Sequence, residues 1–234
     1  MANINLERRA EIGREKRART RLQLMTAAKA LFSKRPWESV TIDELVREAG
    51  VAKGTFYSHF NDLEELAAAV ADDLINAFDA MIQPERLSIS DPILRIAFGC
   101  DAFLRQSLSD RSGALLATRM ARSHPRVGLL VRGRLSDDLR DALDKSPQAG
   151  LTPELGVEVI IGIVLQVAAA IGDRRFDDHH RPEALRCMLA AIGVGRRDAA
   201  SIVARVARVR GSVPRDILMG GSPAGGSSSA TESA

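Results

Sequence analysis

Residues 41–66, TIDELVREAGVAKGTFYSHFNDLEEL, restrict the fold more tightly than any other stretch of this chain. Thr41 and Glu44 have the spacing of a capping box. The hydroxyl can accept from the Glu44 amide while the Glu44 carboxylate reaches back. Val40 and Leu45 take the positions of the accompanying hydrophobic staple. Ile42, Leu45, Val46 and Ala49 then form one apolar stripe at helical spacing. Gly50 stands where a helix C-terminus favours a left-handed residue, and Val51 returns to the core. Lys53 to Phe60 read as a second short helix, with Phe56 and Phe60 inward and Lys53, Thr55, Tyr57 and His59 outward. A cation, a hydroxyl, a phenol and an imidazole on one short face suit phosphates and base edges. Asn61 is a good N-cap for a further helix to about Met81, with Glu64 at its third position.

The ordered set Ala28, Leu31-Phe32, Val40-Thr41-Ile42, Ala49-Gly50-Val51, Gly54-Thr55-Phe56-Tyr57, His59-Phe60 and Glu65-Leu66 resembles the DNA-binding domain of the tetracycline-repressor (TetR) family. The resemblance covers residues 22–66, about a fifth of the chain. It implies an all-α protein, with a helix-turn-helix head followed by a larger helical domain that dimerises and binds a small molecule. It also implies a transcription regulator, with repressor the leading reading, and a double-stranded DNA operator of two-fold symmetry. Thr41, Lys53, Gly54, Thr55, Tyr57 and His59 are the DNA-contact candidates. Two departures remove phosphate partners: Ala52 stands where the family often has Ser, and Leu63 where it often has Lys.

The charge distribution agrees with a DNA reader. Residues 1–62 hold 12 Lys and Arg against 8 Asp and Glu; the remainder holds 21 against 22. The positive excess lies with the helix-turn-helix part. Residues 1–21 read as a flexible basic arm, either a solvated leader or an arm that follows phosphates or enters a minor groove. A first helix is expected from about Thr20 to Ser33, ended by Pro36 and Trp37. Cys100 and Cys187 lack metal-type spacing and suit free thiols in a reducing cytoplasm. No signal peptide is visible, so a cytoplasmic location is expected.

Helical periodicity continues over about 92–107, 113–122, 126–143, 153–172, 183–192 and 196–210. Domain limits are expected at 1–21 for the arm, 22–66 for the head, 67–211 for the helical domain and 212–234 for a disordered tail. Within residues 155–172, LGVEVIIGIVLQVAAAIG, only Glu158 and Gln166 are polar, so the helix must be buried on most sides. It is interrupted and Gly-containing for a membrane span. A central helix of a monomer accounts for it. Burial against a symmetry mate accounts for it better, because a second apolar helix follows soon after. Val159, Ile163, Val167, Leu185, Met188 and Leu189 are the dimerisation candidates.

Phe98, Phe103, Leu116 and Met120 are ordinary core material. By resemblance, however, a pocket opens among their helices, and they are the ligand candidates. Few aromatics and many aliphatics suit a hydrophobic or amphipathic ligand, acyl or aromatic, with Arg95, Arg105, Arg119 or Arg122 available to an acidic head group. Asp177-Asp178-His179-His180 carries metal-capable groups, but neighbours on a short loop seldom close a site alone. Neither metal nor cofactor is expected. No Gly-rich phosphate loop, HExxH or nucleophile elbow occurs, so an enzyme with an accessory head is the remote alternative. The nearer alternative is a DNA-binding regulator without a ligand, controlled by a protein partner or by abundance.

Overall fold

Ten α-helices and one short 3-10 turn make up the described part of the computed structural model, which covers residues 2–145 and 151–211, with side chains from 8–145 and 151–209. The expected tail at 212–234 lies outside the described residues. Among those described there is no strand, and the all-α expectation holds.

The head is formed by α1 (Ala2–Phe32), α2 (Ile42–Ala49), α3 (Lys53–Tyr57) and the start of α4 (Leu63–Leu87), with the 3-10 turn Trp37–Ser39 leading into α2. The capping box at Thr41 forms in both directions: Thr41 Oγ1 accepts from the Glu44 amide, and the Thr41 amide donates to Glu44 Oε2 at 2.9 Å. Gly50 has φ +66°, a conformation that strains any residue with a Cβ. This lets the Val51 amide bond back to the Val46 carbonyl, turning the chain toward α3.

Several local expectations change. Residues 2–32 are one helix, so the segment read as a flexible arm continues α1, and the start expected near Thr20 lies in mid-helix. Charge-rich sequence without Gly or Pro breakers, apart from Gly13, can extend a helix that its C-terminal half anchors in a core. The second reading-head helix stops at Tyr57 rather than Phe60, but the Phe60 amide still donates to the Phe56 carbonyl at 3.0 Å, which brings Phe60 inward. Asp62, not Asn61, caps α4, accepting from the Glu65 amide at 2.7 Å, while Glu65 reaches back to the Asn61 amide. Asp62 fits because its carboxylate also meets the positive end of the helix dipole. α4 then runs through Pro84, which cannot donate to the Ala80 carbonyl, and also passes unbroken across the division expected at residue 66.

Beyond the head lie α5 (Pro92–Ser109), α6 (Arg111–Ser123), α7 (Leu129–Lys145), α8 (Pro153–Gly172), α9 (His180–Ala191) and α10 (Arg196–Gly211). Helix α8 is long and apolar enough to cross a membrane by length and composition alone, yet it packs on α5, α6, α7 and α9. Its last residue must be small: a Cβ on Gly172 would come within 2.5 Å of Leu115 Cγ on α6. Arg111, at the start of α6, donates to the Ile171 carbonyl and closes the same junction.

Candidate nucleic-acid interface and effector cavity

The outward face of α3 is held by its inward one. Phe56 and Phe60 are fully buried with Leu24, Leu45 and Leu66, their rings 6.0 Å apart. Burying such rings is worth about 1.5–3 kcal/mol each, enough to hold a five-residue helix that would not persist alone. The opposite face leaves Lys53, Gly54 and Tyr57 exposed and Thr55 and His59 partly so. Tyr57 leans edge-on against Phe56, with ring centroids at 5.3 Å, so an exposed phenol is held in a fixed direction. Lys53 pairs with Asp43 at 2.8 Å, and that carboxylate raises its pKa. Thr41 stands at the N-terminus of α2 beside this face. Its partner Glu44 is bound by Arg35 at 2.8 Å, and the Arg35 and Thr41 hydrogen bonds hold its pKa at about 2. The six DNA-contact candidates thus fall on the α2 N-terminus and on α3 with its following turn.

Helix α4 connects this surface to a second site. Leu66, Ala67, Val70 and Ala71 pack in the head, while Ile75, Phe78, Asp79 and Ile82 wall a cavity of about 140 Å³. Helices α5, α7 and α8 complete it through Ile96, Phe103, Leu135, Ile160 and Val164, among others. Most of the lining is aliphatic, but one end is ionic. Asp138 is buried and binds Arg86 and Arg95 together, the latter at 2.8 Å from Arg95 Nε. Asp79, also buried, lies 2.6 Å from Arg134 without hydrogen-bond alignment, and its other oxygen accepts from Gln83 at 2.9 Å. Cys100 also lines the cavity, and burial pushes its thiol up to about 12, so it stays protonated.

Of the four ligand candidates, Phe103 lines this cavity. Phe98 is buried elsewhere on α5, and Leu116 and Met120 turn into the hydrophobic cluster of the head. Helix α6 therefore supports the head: Arg119 pairs with Glu38 at 2.6 Å, and Ser112 donates to the Ser33 carbonyl. Of the arginines considered for an acidic head group, Arg95 reaches the cavity, while Arg105 binds Asp101 and Arg122 binds Gln166. Sequence reasoning missed Asp79, Arg134 and Asp138. Asp79 carried a signal, since Ile75, Phe78 and Ile82 set the inner face of α4 and Asp79 falls within that stripe.

The dimerisation candidates separate as well. Val159, Ile163 and Val167 on α8 remain partly open, next to exposed Leu155 and Gly162. Leu185, Met188 and Leu189 on α9 are buried within the protomer instead, and the open face of α9 carries Glu183, Arg186, Cys187 and Ala190. The Asp177–His180 loop spends its polar groups on the start of α9: Asp177 Oδ1 lies 2.8 Å from His180 Nδ1, Arg181 binds Asp178, and Phe176 stacks on His180 at 4.3 Å. No group of three or more metal-capable side chains occurs among the described residues.

Comparison with known proteins agrees with both halves. The family described as bacterial regulatory proteins, tetR family, matches residues 24–70. The HTH-type transcriptional regulator HbdR of Aromatoleum sp. (strain CIB) is 25% identical over 103 residues, 44% of this chain and 45% of HbdR. The chain thus spans under half the length of that relative. Among solved structures, RolR in complex with resorcinol superposes with a TM-score of 0.69 at 28% identity, covering 82% of this chain and 96% of RolR. FadR from Bacillus subtilis in complex with stearoyl-CoA superposes at 0.60 and 15% identity, covering 73% and 98%, a likeness of fold alone.

Proposed function

Through residues 24–70 the chain is a member of the bacterial TetR family of regulatory proteins, and from that premise we propose a cytoplasmic, homodimeric repressor that a small molecule releases from its operator. One observation carries this reading: α4 is both a packed member of the reading head and a wall of the effector cavity. An occupant that shifts α4 shifts the head with it. Two heads matched to successive grooves would then lose their spacing, and a coupling of about 1–3 kcal/mol suffices for regulation. Dimerisation would use the open stripe of α8 at Leu155, Val159, Gly162 and Ile163, with the exposed side of α9 beside it. Two identical heads imply a palindromic operator. No catalytic step is assigned.

The cavity suits a single ring. An apolar cavity of about 150 Å³ accommodates benzene, and here the ionic end adds acceptors at Asp79 and donors at Arg86, Arg95 and Arg134. A monocyclic aromatic bearing hydroxyl or acidic groups matches both ends, and RolR, with its resorcinol, supports that choice. An acyl chain would need the cavity to open further. The rival without a ligand has one observation in its favour, since the cavity is smaller than the 300 Å³ or more usual for ligand pockets.

Operators selected from random duplexes, followed by titration with mono- and dihydric phenols and benzoates, test the reading. The expected result is a compound that raises the melting temperature and lowers operator affinity together. Gly99→Leu, which fills the cavity from α5, should remove both responses while operator binding persists. Melting shifts without any change in operator affinity at saturation would transfer the case to the partner-controlled rival.

A further inference from the structure

The N-terminal extension of α1 forms a cleft with the end of the reading helix. Arg14, Arg17 and Arg21, at i, i+3 and i+7, share one face of α1 and reach Ser58 and His59 across a cleft of about 330 Å³. Arg17 Nη2 donates to the Ser58 carbonyl at 3.2 Å. The Arg21 guanidinium lies 4.4 Å above the Phe60 ring, which fastens this part of α1 to the head core. Among the described side chains, no acidic group lines the cleft. Three arginines and an imidazole therefore line one cleft, with no anion among its described walls, an arrangement that favours an anionic occupant. Burial first, and then Arg17 and Arg21, lower the His59 pKa. Ser58 and His59 follow directly on α3, so an anion in the cleft would lie beside whatever α3 reads.

We propose that this cleft is a phosphate clasp, in which a backbone phosphate of the bound duplex sits among Arg14, Arg17 and His59 while the α1 extension follows the same strand. The clasp rests on the DNA-binding reading above and adds to it a second, sequence-independent contact, coupled to one proton. A phosphate beside His59 favours the imidazolium, so its pKa rises on binding. DNA binding then takes up a proton between the free and bound pKa values. Affinity climbs as pH falls through the bound value and levels off below the free one, which lies under 6.5.

The test measures binding of the full chain to a mixed-sequence duplex across salt concentrations and from pH 8 to 5.5. The variants are Arg14→Ala/Arg17→Ala and His59→Asn. Both arginines are exposed, so the double variant should melt as the parent does. Its log affinity against log salt should lose about two units of slope, so that raising salt from 50 to 200 mM costs about tenfold less affinity than in the parent. His59→Asn should lose the pH dependence. Slopes equal to the parent, with the parent binding DNA, would overturn the clasp and leave the regulator reading intact. A parent that binds no duplex at all would overturn both. Inorganic phosphate shifting the His59 ring resonances, together with unchanged duplex slopes, would overturn the duplex assignment in favour of a small free anion.

Discussion

The helix-turn-helix head and the cavity beyond it are both walled by α4, yet they are packed on opposite principles. The head encloses Leu24, Leu45, Phe56, Phe60 and Leu66 with no charge among its described buried residues, and its described ions lie on the surface. The cavity leaves empty volume and buries Asp79 and Asp138 against arginines between helices. A close-packed apolar core holds one shape. Unfilled volume beside buried ions holds its shape less tightly, and a ligand can supply the missing contacts. On the proposed function, the difference puts rigidity where bases would be read and adaptability where a small molecule would enter.

Breaking the head should cost most. Phe56→Ala removes a ring from a site with no room to collapse and should lower stability by about 3–5 kcal/mol in chemical denaturation. Operator binding should vanish with it. An equal loss from Phe103→Ala at the cavity wall would blur the distinction, because a side chain beside empty volume has fewer contacts to lose.

The ionic end of the cavity comes next. Asp138→Ala leaves Arg86 and Arg95 without their shared partner and should destabilise by about 3 kcal/mol, somewhat less than full burial would give because Arg95 keeps Asp141 at 3.2 Å. A saturating aromatic ligand should act in the other direction, adding about 2.7 kcal/mol at one hundred times its dissociation constant, read as a rise in melting temperature. Failure of every cavity variant to alter ligand response would place the effector elsewhere.

Reading-helix variants should affect binding but not folding. Thr55→Ala and Tyr57→Ala should each weaken specific binding by about 1–3 kcal/mol in anisotropy titrations, with unchanged melting. Lys53→Ala should weaken binding to every sequence only modestly and reduce the salt slope by less than about one unit, because Asp43 already holds the ammonium.

The smallest effect concerns the cap. Thr41→Ala should cost about 1 kcal/mol of stability. Glu44 has its folded pKa lowered from 4.5 to about 2, so its contribution is complete above 4.5 and is lost as pH falls through about 2. In acid titrations Glu44→Gln should lose that segment of the stability curve.

The same contrast decides what could be read from sequence. A capping box, a left-handed glycine and phenylalanines four residues apart are local signals, so α2 and the two faces of α3 were legible, though not the point where α3 ends. The cavity depends on which faces of distant helices meet. Arg86 and Asp138 are 52 residues apart, and no local pattern pairs them. Phe98 and Phe103 read alike in sequence, yet five residues turn a helix by about 140°, and only Phe103 reaches the cavity. Leu116 and Met120 were recognisable as an apolar face, but nothing in α6 itself said that this face joins the head. Leu185, Met188 and Leu189 were recognisable as buried, but periodicity cannot tell a protomer's own core from an interface.

The ion pair between Lys53 and Asp43 bears on how such a protein finds its site. A lysine already held by a carboxylate gains little from meeting a phosphate, because one partner is exchanged for another. Through this contact, encounters with arbitrary DNA would be only weakly retained. On the proposed reading, a sequence that also engages Thr55 and Tyr57 would make the exchange worthwhile, and Asp43 would shorten the time lost on the wrong DNA.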